Sequence, residues 1–254
     1  MKIIKDVIIP QWPAPSHVYA AMSTRLTSPG VSQAPFNGFN LGDHVHDKPE
    51  HVAQNRKSWE ACMQALCTSE LMAPLSLNMK YLKQVHGIDI VYMEPSITDL
   101  YQADACFTDI PLQSCTIMIA DCLPVLFCTQ DGQIVGAAHA GWRGLLNGVL
   151  EVTVAKLEAQ HKALATKGLE KIYAWLGPCI GPQAFEVGEE VLDAFLASNL
   201  KNVSKINYAR FFQKQENGKW RADLAGIARE KLEQNKNILC ELNHLTSLNK
   251  NQKG

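Results

Sequence analysis

Between Pro49 and Leu66 the apolar positions Val52, Trp59, Met63 and Leu66, joined by the aliphatic stem of Arg56, recur at helical spacing. The pattern predicts a helix from about Pro49, whose fixed φ suits a first turn. Further on the period shortens. MKYLKQVHG, IDIVYM, DACFTD, SCTIMIADC and PVLFC carry β-branched and aromatic residues in short runs, and read as strands. Asp131-Gly132 is a hairpin signal, with QIVGAAH as the returning arm. Leu146, Leu150, Val154 and Leu157 then mark a helix from about Gly144 to Ala165. KIYAWLG reads as another strand, and VGEEVLDAFLAS and DLAGIAREKLEQN as helices, the second with Asp223 as N-cap. Residues 7–41 look like short strands (VIIPQW, HVYAAMSTR) and a Gly/Pro/Asn-rich loop. Strands and helices mix without strict alternation, which predicts an α+β fold. No repeat or linker divides the chain, so 1–254 is expected to form a single domain.

The hairpin brings chemistry into view. With Asp131 and Gly132 as the loop residues, His139 faces Pro124, and Cys122 projects from the same side as His139. Such diagonal neighbours lie about 7–8 Å apart, and converging side chains close that gap. A one-residue slip would put the two on opposite faces. A thiol beside an imidazole has two uses: a nucleophilic thiolate, or two of three ligands of an open zinc site. The plain alternative is a structural histidine and a packed cysteine. Arg143, next to the expected helix start at Gly144, offers an anion seat with the free backbone N–H groups, or simply a surface salt bridge. Gly141 and Gly144 allow close backbone approach there.

Composition changes this picture little but excludes much. A formal net charge of −1 and a pI near 6.7 give no sign of a nucleic-acid or anionic-membrane partner. MKIIKDVIIPQWPAP does not read as a signal peptide, and no apolar run is long enough to span a bilayer, so the cytoplasm is the expected compartment. The eight cysteines are scattered without a CxxC pair, and in a reducing compartment most should be free, buried thiols.

Five stretches, KQVHG (83–87), DACFTD (104–109), ADCLPVLF (120–127), AAHAGWRG (137–144) and GPCIGPQAFEVGEEV (177–191), resemble the YfiH family, as does the pattern of residues 22–56. The resemblance covers about residues 20–235. That family has been labelled polyphenol oxidase or laccase, and is associated with purine nucleoside phosphorylase and adenosine deaminase activity. The resemblance implies an α+β sandwich of mixed sheets flanked by helices. It also implies a metal held by His86, Cys122 and His139, of which His86 comes from the resemblance alone. Two nitrogen donors and one sulfur favour zinc with an open position. NILCELNHLTSLNKNQKG, from about residue 238, departs from the family's usual ending, which puts the last strand in doubt and predicts an open sheet edge.

The resemblance implies purine nucleosides and phosphate as small-molecule partners. Phosphorolysis of adenosine, inosine, guanosine and methylthioadenosine would use Arg143 and the helix mouth, with Gly144, to hold phosphate. Deamination of adenosine would use an activated water. The HxE signature of familiar zinc deaminases is absent, so the proton route must differ. Asp121, beside Cys122, is a candidate acid/base or merely orients its neighbour; Asp104 and Glu186 are further candidates. Arg25 and Asn40 either shape the pocket or serve turn chemistry and a surface ion pair. His44 and His46 form the sole H-x-H pair, which reads as two exposed loop histidines rather than a second metal site. Two alternatives stand beside this reading. One is a metal-free amidase acting on a peptidoglycan precursor, with Cys122 as nucleophile and His139 as base. The other is copper-dependent phenol oxidation (laccase activity), for which eight mostly isolated histidines are few.

Overall fold

The computed structural model describes residues 6–68, 76–99, 101–164, 168–198 and 206–242. In chain order the elements are β1 (Val7–Ile8), β2 (Met22–Ser23), α1 (Pro49–Thr68), β3 (Ile90–Tyr92), β4 (Ala105–Thr108), β5 (Leu123–Thr129) and β6 (Val135–Ala140). They continue with α2 (Trp142–Asn147), α3 (Val149–Leu164), β7 (Ile172–Leu176), β8 (Glu186–Val187), α4 (Glu189–Ser198), a 3₁₀ turn (Tyr208–Phe211), β9 (Phe212–Lys214), β10 (Trp220–Ala222), α5 (Leu224–Glu233) and β11 (Ile238–Leu242). The expected mixture of sheets and helices is therefore present. The main sheet has the order β11-β7-β5-β6-β4-β3, with parallel pairs at its two ends and antiparallel pairs between. Two smaller sheets, β1-β2 and β8-β10-β9, stand beside it.

Alternation along the central strands divides the interior. Leu123, Val125 and Phe127 of β5, with Ala138 and Ala140 of β6, face Leu145 of α2, Leu150, Val154 and Leu157 of α3, and Ile227 and Leu232 of α5. The opposite side carries Cys106 and Ala137, which pack with Leu82, Val91, Met93 and Leu126. His139 belongs to this second side, two residues on from Ala137. A third cluster joins Phe39 to Trp59 and Cys62 of α1.

The hairpin has the predicted register: Pro124 pairs with His139 and Cys128 with Val135. Gly132 has φ +69°, the conformation that its turn requires. Three expectations need correction. First, the helix of 144–165 is two helices. It starts earlier, at Trp142 with Gly141 as N-cap, and breaks at Gly148, which sits in the left-handed region at φ 100°. Ala165 lies outside the described residues. Second, HVYAAMSTR contributes only the two residues of β2. Third, MKYLKQVHG and SCTIMIADC form no ladder. They are held by one isolated bridge within the first run, Lys83 to Gln102, another just ahead of both runs, Asn78 to Gln113, and by side chains. Gln84 closes one such link, its amide donating to Met118 O at 2.8 Å while its oxygen accepts from Met118 N at 2.7 Å. β11 pairs in parallel with β7 along its whole length and stands at the end of the sheet. The remainder of the tail, 243–254, lies outside the described residues.

Candidate metal centre

β6 runs between β4 and β5, and its end presents His139 to both neighbours. On one side lies Pro124. On the other, one step beyond the paired Ala105 and Ala138, lies Asp104, whose carbonyl accepts from His139 N at 2.7 Å. The Asp104 side chain is fully buried and has four hydrogen-bond partners. Oδ1 meets His139 Nδ1 at 2.8 Å and accepts from His86 N at 2.9 Å. Oδ2 accepts from Val85 N at 3.1 Å and Gly87 N at 2.7 Å. One carboxylate thus fixes the His139 ring and curls the loop that carries His86. His86 itself sits at φ +61°, an uncommon conformation for a non-glycine residue that the carboxylate clamp sustains.

Cys122 precedes β5 by one residue and completes the group. The ligand atoms of His86, Cys122 and His139 lie within 4.8 Å of one another. Cys122 Sγ is 3.8 Å from His86 Nε2, and the two imidazoles meet edge to face with centroids 4.7 Å apart. The glycine after this strand is required by the same group. A Cβ on Gly141 would stand 2.8 Å from His86 Cδ2 and 3.0 Å from Cys122 Sγ.

The electrostatics suit a metal. Burial pushes the His139 ring toward neutrality, but its hydrogen bonds to Asp104 and Cys122, and the charges of both, outweigh burial and raise the pKa to about 9. Burial also raises Asp104, yet the hydrogen bonds from His139, Gly87 and Val85 hold its carboxyl below the ordinary value. His86 is lowered by burial and then by the charge of His139. Because Asp104 occupies Nδ1 of His139, Nε2 is the nitrogen left to bind a cation, the usual carboxylate–histidine arrangement at metal sites. Two imidazoles and a thiolate at this spacing fit a tetrahedral ion that keeps one position for a reactant.

The centre opens into a cleft of about 2240 Å³, larger than the roughly 300–1,000 Å³ of ordinary small-molecule pockets. Segments 16–26 and 36–45 form one wall, residues 108–122 another, and α1 supplies Trp59 and Met63. Arg25, Asn40, His44 and Asp121 line this cleft. Asn40 is committed to its own loop: Oδ1 accepts from Gly42 N at 3.0 Å and Nδ2 donates to Asp47 at 2.9 Å. Arg143 is exposed on the first turn of α2, with its guanidinium 4.3 Å from the Trp142 ring, close enough for its charge to reach His86. Gly144 is also tightly packed. It is buried, and a Cβ there would meet Gly87 O at 3.0 Å, so it seats α2 on the metal loop. Glu186 lies away on β8, bonded to Asn217. His44 and His46 are exposed, as expected of loop histidines.

Some residues of the site carry no sequence signal of their weight. Asp104 reads only as a further acid/base candidate, not as the anchor of two histidine-bearing segments. Asn55, fully buried on α1, binds Val31 N, Ser32 Oγ and the carbonyls of Gly38 and Asn40, and so fixes the wall loop. A polar residue on the otherwise apolar side of α1 was the available clue.

The family model for multi-copper polyphenol oxidoreductase laccase matches residues 19–245. A purine nucleoside phosphorylase of Pseudomonas aeruginosa is 44% identical over 225 residues, covering 89% of this chain and 81% of that protein. The purine nucleoside phosphorylase YfiH of Escherichia coli is 43% identical over 231 residues, covering 90% and 83%. The crystal structure of a Neisseria meningitidis protein of the DUF152 family superposes with TM-score 0.77 at 33% identity, covering 98% of this chain and 95% of that one.

Proposed function

The chain belongs to the YfiH (DUF152) family, and from that premise we propose that it is a zinc-dependent purine nucleoside phosphorylase that also deaminates adenosine. The observation that carries the reading is the meeting of His86, Cys122 and His139 beside the cleft, with His139 oriented by a buried carboxylate. Zinc held there supplies a Lewis acid at neutral pH. The chain's own residues do the rest. Asp104 keeps the proton on Nδ1 of His139, so Nε2 is the nitrogen that would hold the ion. Phe36, Phe39 and Trp59 give the cleft apolar surface for a purine. Arg143, exposed at the start of α2, and Arg25, in the lining of the cleft, are the cations that would meet phosphate. Asp121, adjacent to Cys122, orients the sulfur or carries a proton. Adenosine, inosine, guanosine and methylthioadenosine are the expected substrates.

The test is direct. Each nucleoside is incubated with zinc-loaded protein, with and without phosphate, and the products are separated. Free base that needs phosphate establishes phosphorolysis; inosine from adenosine without phosphate establishes deamination. A protein silent with every nucleoside defeats the proposal.

Two observations support second readings. The thiol of Cys122 lies within 4.8 Å of the His139 ring nitrogen, which suits a metal-free amidase; such activity would survive a chelator and end with alkylation of the thiol. The family description names copper chemistry. Among the described residues the ligands converge at one place, so phenol oxidation, if found, should depend on added copper at that place.

A further inference from the structure

Sequence reading leaves the His44/His46 pair unused, and the structure gives the first of them a setting. His44 lines the cleft that holds the metal ligands, on the wall formed by residues 40–45. Its Nδ1 lies 3.6 Å from Asp43 Oδ1, and the other Asp43 oxygen is 3.3 Å from Arg56 Nη2. Arg56 is well anchored. Nε donates to Leu41 O at 2.9 Å, Nη2 reaches Met118 Sδ at 3.7 Å, and the guanidinium stacks 4.1 Å from the Tyr81 ring. Met118 is the residue clamped by Gln84, two positions before His86. Arg56 therefore ties the His44 wall to the segments that carry the metal ligands.

Two acids near the centre, Asp104 and Asp109, are engaged by other groups, and Asp121 stands next to the ligand Cys122. All four partners of Asp104 hold its two oxygens. Asp109 binds Tyr92 and Gln160. The charged or titratable groups that face His44 are Asp43 beside it, Arg56 from α1 through Asp43, and His86, whose pKa the charge of His44 lowers.

We propose that His44, oriented by Asp43 and Arg56, is a catalytic residue that gives the departing purine its proton. This rests on the phosphorylase reading above. As the bond between the ribose anomeric carbon and the purine breaks, its electron pair passes to the ring, which takes a proton from the His44 imidazolium. A phosphate oxygen bonds the anomeric carbon, and the proton shed by that phosphate returns to His44. Proton transfer of this kind contributes about 10²–10⁴-fold.

The experiment uses zinc-loaded wild type and His44→Gln, Asp43→Asn, Arg56→Met and Arg56→Lys, with inosine and inorganic phosphate. For His44→Gln, kcat falls by about 10²-fold or more, while zinc content and the Kd for inosine without phosphate stay within about threefold, and the limb of the pH–kcat profile due to the proton donor disappears. Asp43→Asn loses less, and Arg56→Lys, which keeps the charge, recovers most of the rate lost in Arg56→Met. A His44→Gln enzyme within threefold of wild-type kcat overturns the inference and leaves the phosphorylase reading standing. So does a rate loss fully matched by lost zinc or lost inosine binding. As an arm independent of turnover, bound inosine should shield His44 from carbethoxylation by diethyl pyrocarbonate; labelling unchanged at saturating inosine also overturns it. Wild type that neither binds nor cleaves any nucleoside removes the phosphorylase reading, and this inference with it.

Discussion

Asp104 does at the scale of one residue what three separate segments need: it turns His139, closes the His86 loop, and leaves neither oxygen free. Its replacement by Asn should weaken zinc binding about 10–100-fold and destabilise the metal-free fold by about 3 kcal/mol, since a buried partner is left uncompensated. Competition with a chromophoric chelator and chemical denaturation measure the two effects. The pH dependence has a definite sign. Asp104's folded pKa is depressed, so its contribution is present above its unfolded value of 3.8 and is lost as pH falls through the folded one. His139's is raised from 6.5 to about 9, so its contribution is complete below 6.5 and is lost as pH rises to about 9. Without metal, wild-type stability should therefore decline between pH 6.5 and 9, and the decline should shrink in Asp104→Asn. Zinc must displace the His139 proton, so affinity should climb over the same interval. Gly141→Ala separates site from fold. The backbone there, φ −64° and ψ 160°, suits alanine, but the new methyl would press on His86 and Cys122. Zinc affinity should drop about tenfold or more, in the manner of a displaced supporting residue, with the apo melting temperature little changed.

At the scale of elements, the β5–β6 hairpin sets the register on which the site depends, and its turn is reinforced from three sides. Asp131 accepts from Thr129 Oγ1 at 2.6 Å and Gln133 N at 3.1 Å, and meets His161 of α3 at 2.9 Å. Gly132 combines a left-handed φ with close packing, since a Cβ there would stand 2.4 Å from His17 Nε2. Gly148, between α2 and α3, is equally left-handed at φ +100°, yet a Cβ would meet nothing nearer than Glu151 Oε2 at 3.7 Å. The two glycines should part company on mutation. Gly148→Ala is expected to cost about 1 kcal/mol for the conformation alone, and Gly132→Ala distinctly more, because the N-terminal segment must also move. Equal losses by urea denaturation would contradict this account. Asp223, the predicted N-cap of α5, accepts from Gly226 N at 2.9 Å, and its replacement by Ala should cost about 1 kcal/mol.

For the whole molecule, the ligands come from a loop, from the residue before β5 and from the end of β6, so bound metal cross-links parts that are distant in sequence. At a free zinc concentration of about 1,000 Kd, binding adds about 4 kcal/mol to the folded state. A chain of this size should then melt roughly 10 °C higher with zinc than after chelation. Cys122→Ala should abolish most of that difference. No helix among the described residues is long and apolar enough to cross a membrane.

Local physics makes much of this legible from sequence. The helical spacing from Pro49, the strands around IVY, ACFT and PVLFCT, the Asp223 cap and the Asp-Gly turn all follow from neighbours within a few residues, and period-two alternation then puts Cys122 and His139 on one face. The family motifs add His86. What sequence leaves undecided depends on contacts between distant residues. Two runs rich in β-formers, MKYLKQVHG and SCTIMIADC, have strand propensity but no neighbouring strand to pair with, so side chains such as Gln84 hold them instead. The break at Gly148 is silent in an apolar periodicity that continues through it. Nothing in DACFTD marks its first residue as the shared anchor of two imidazole-bearing segments. That role exists only once the β4–β6 register sets Asp104 opposite His139, in a place where burial excludes water and three backbone N–H groups converge.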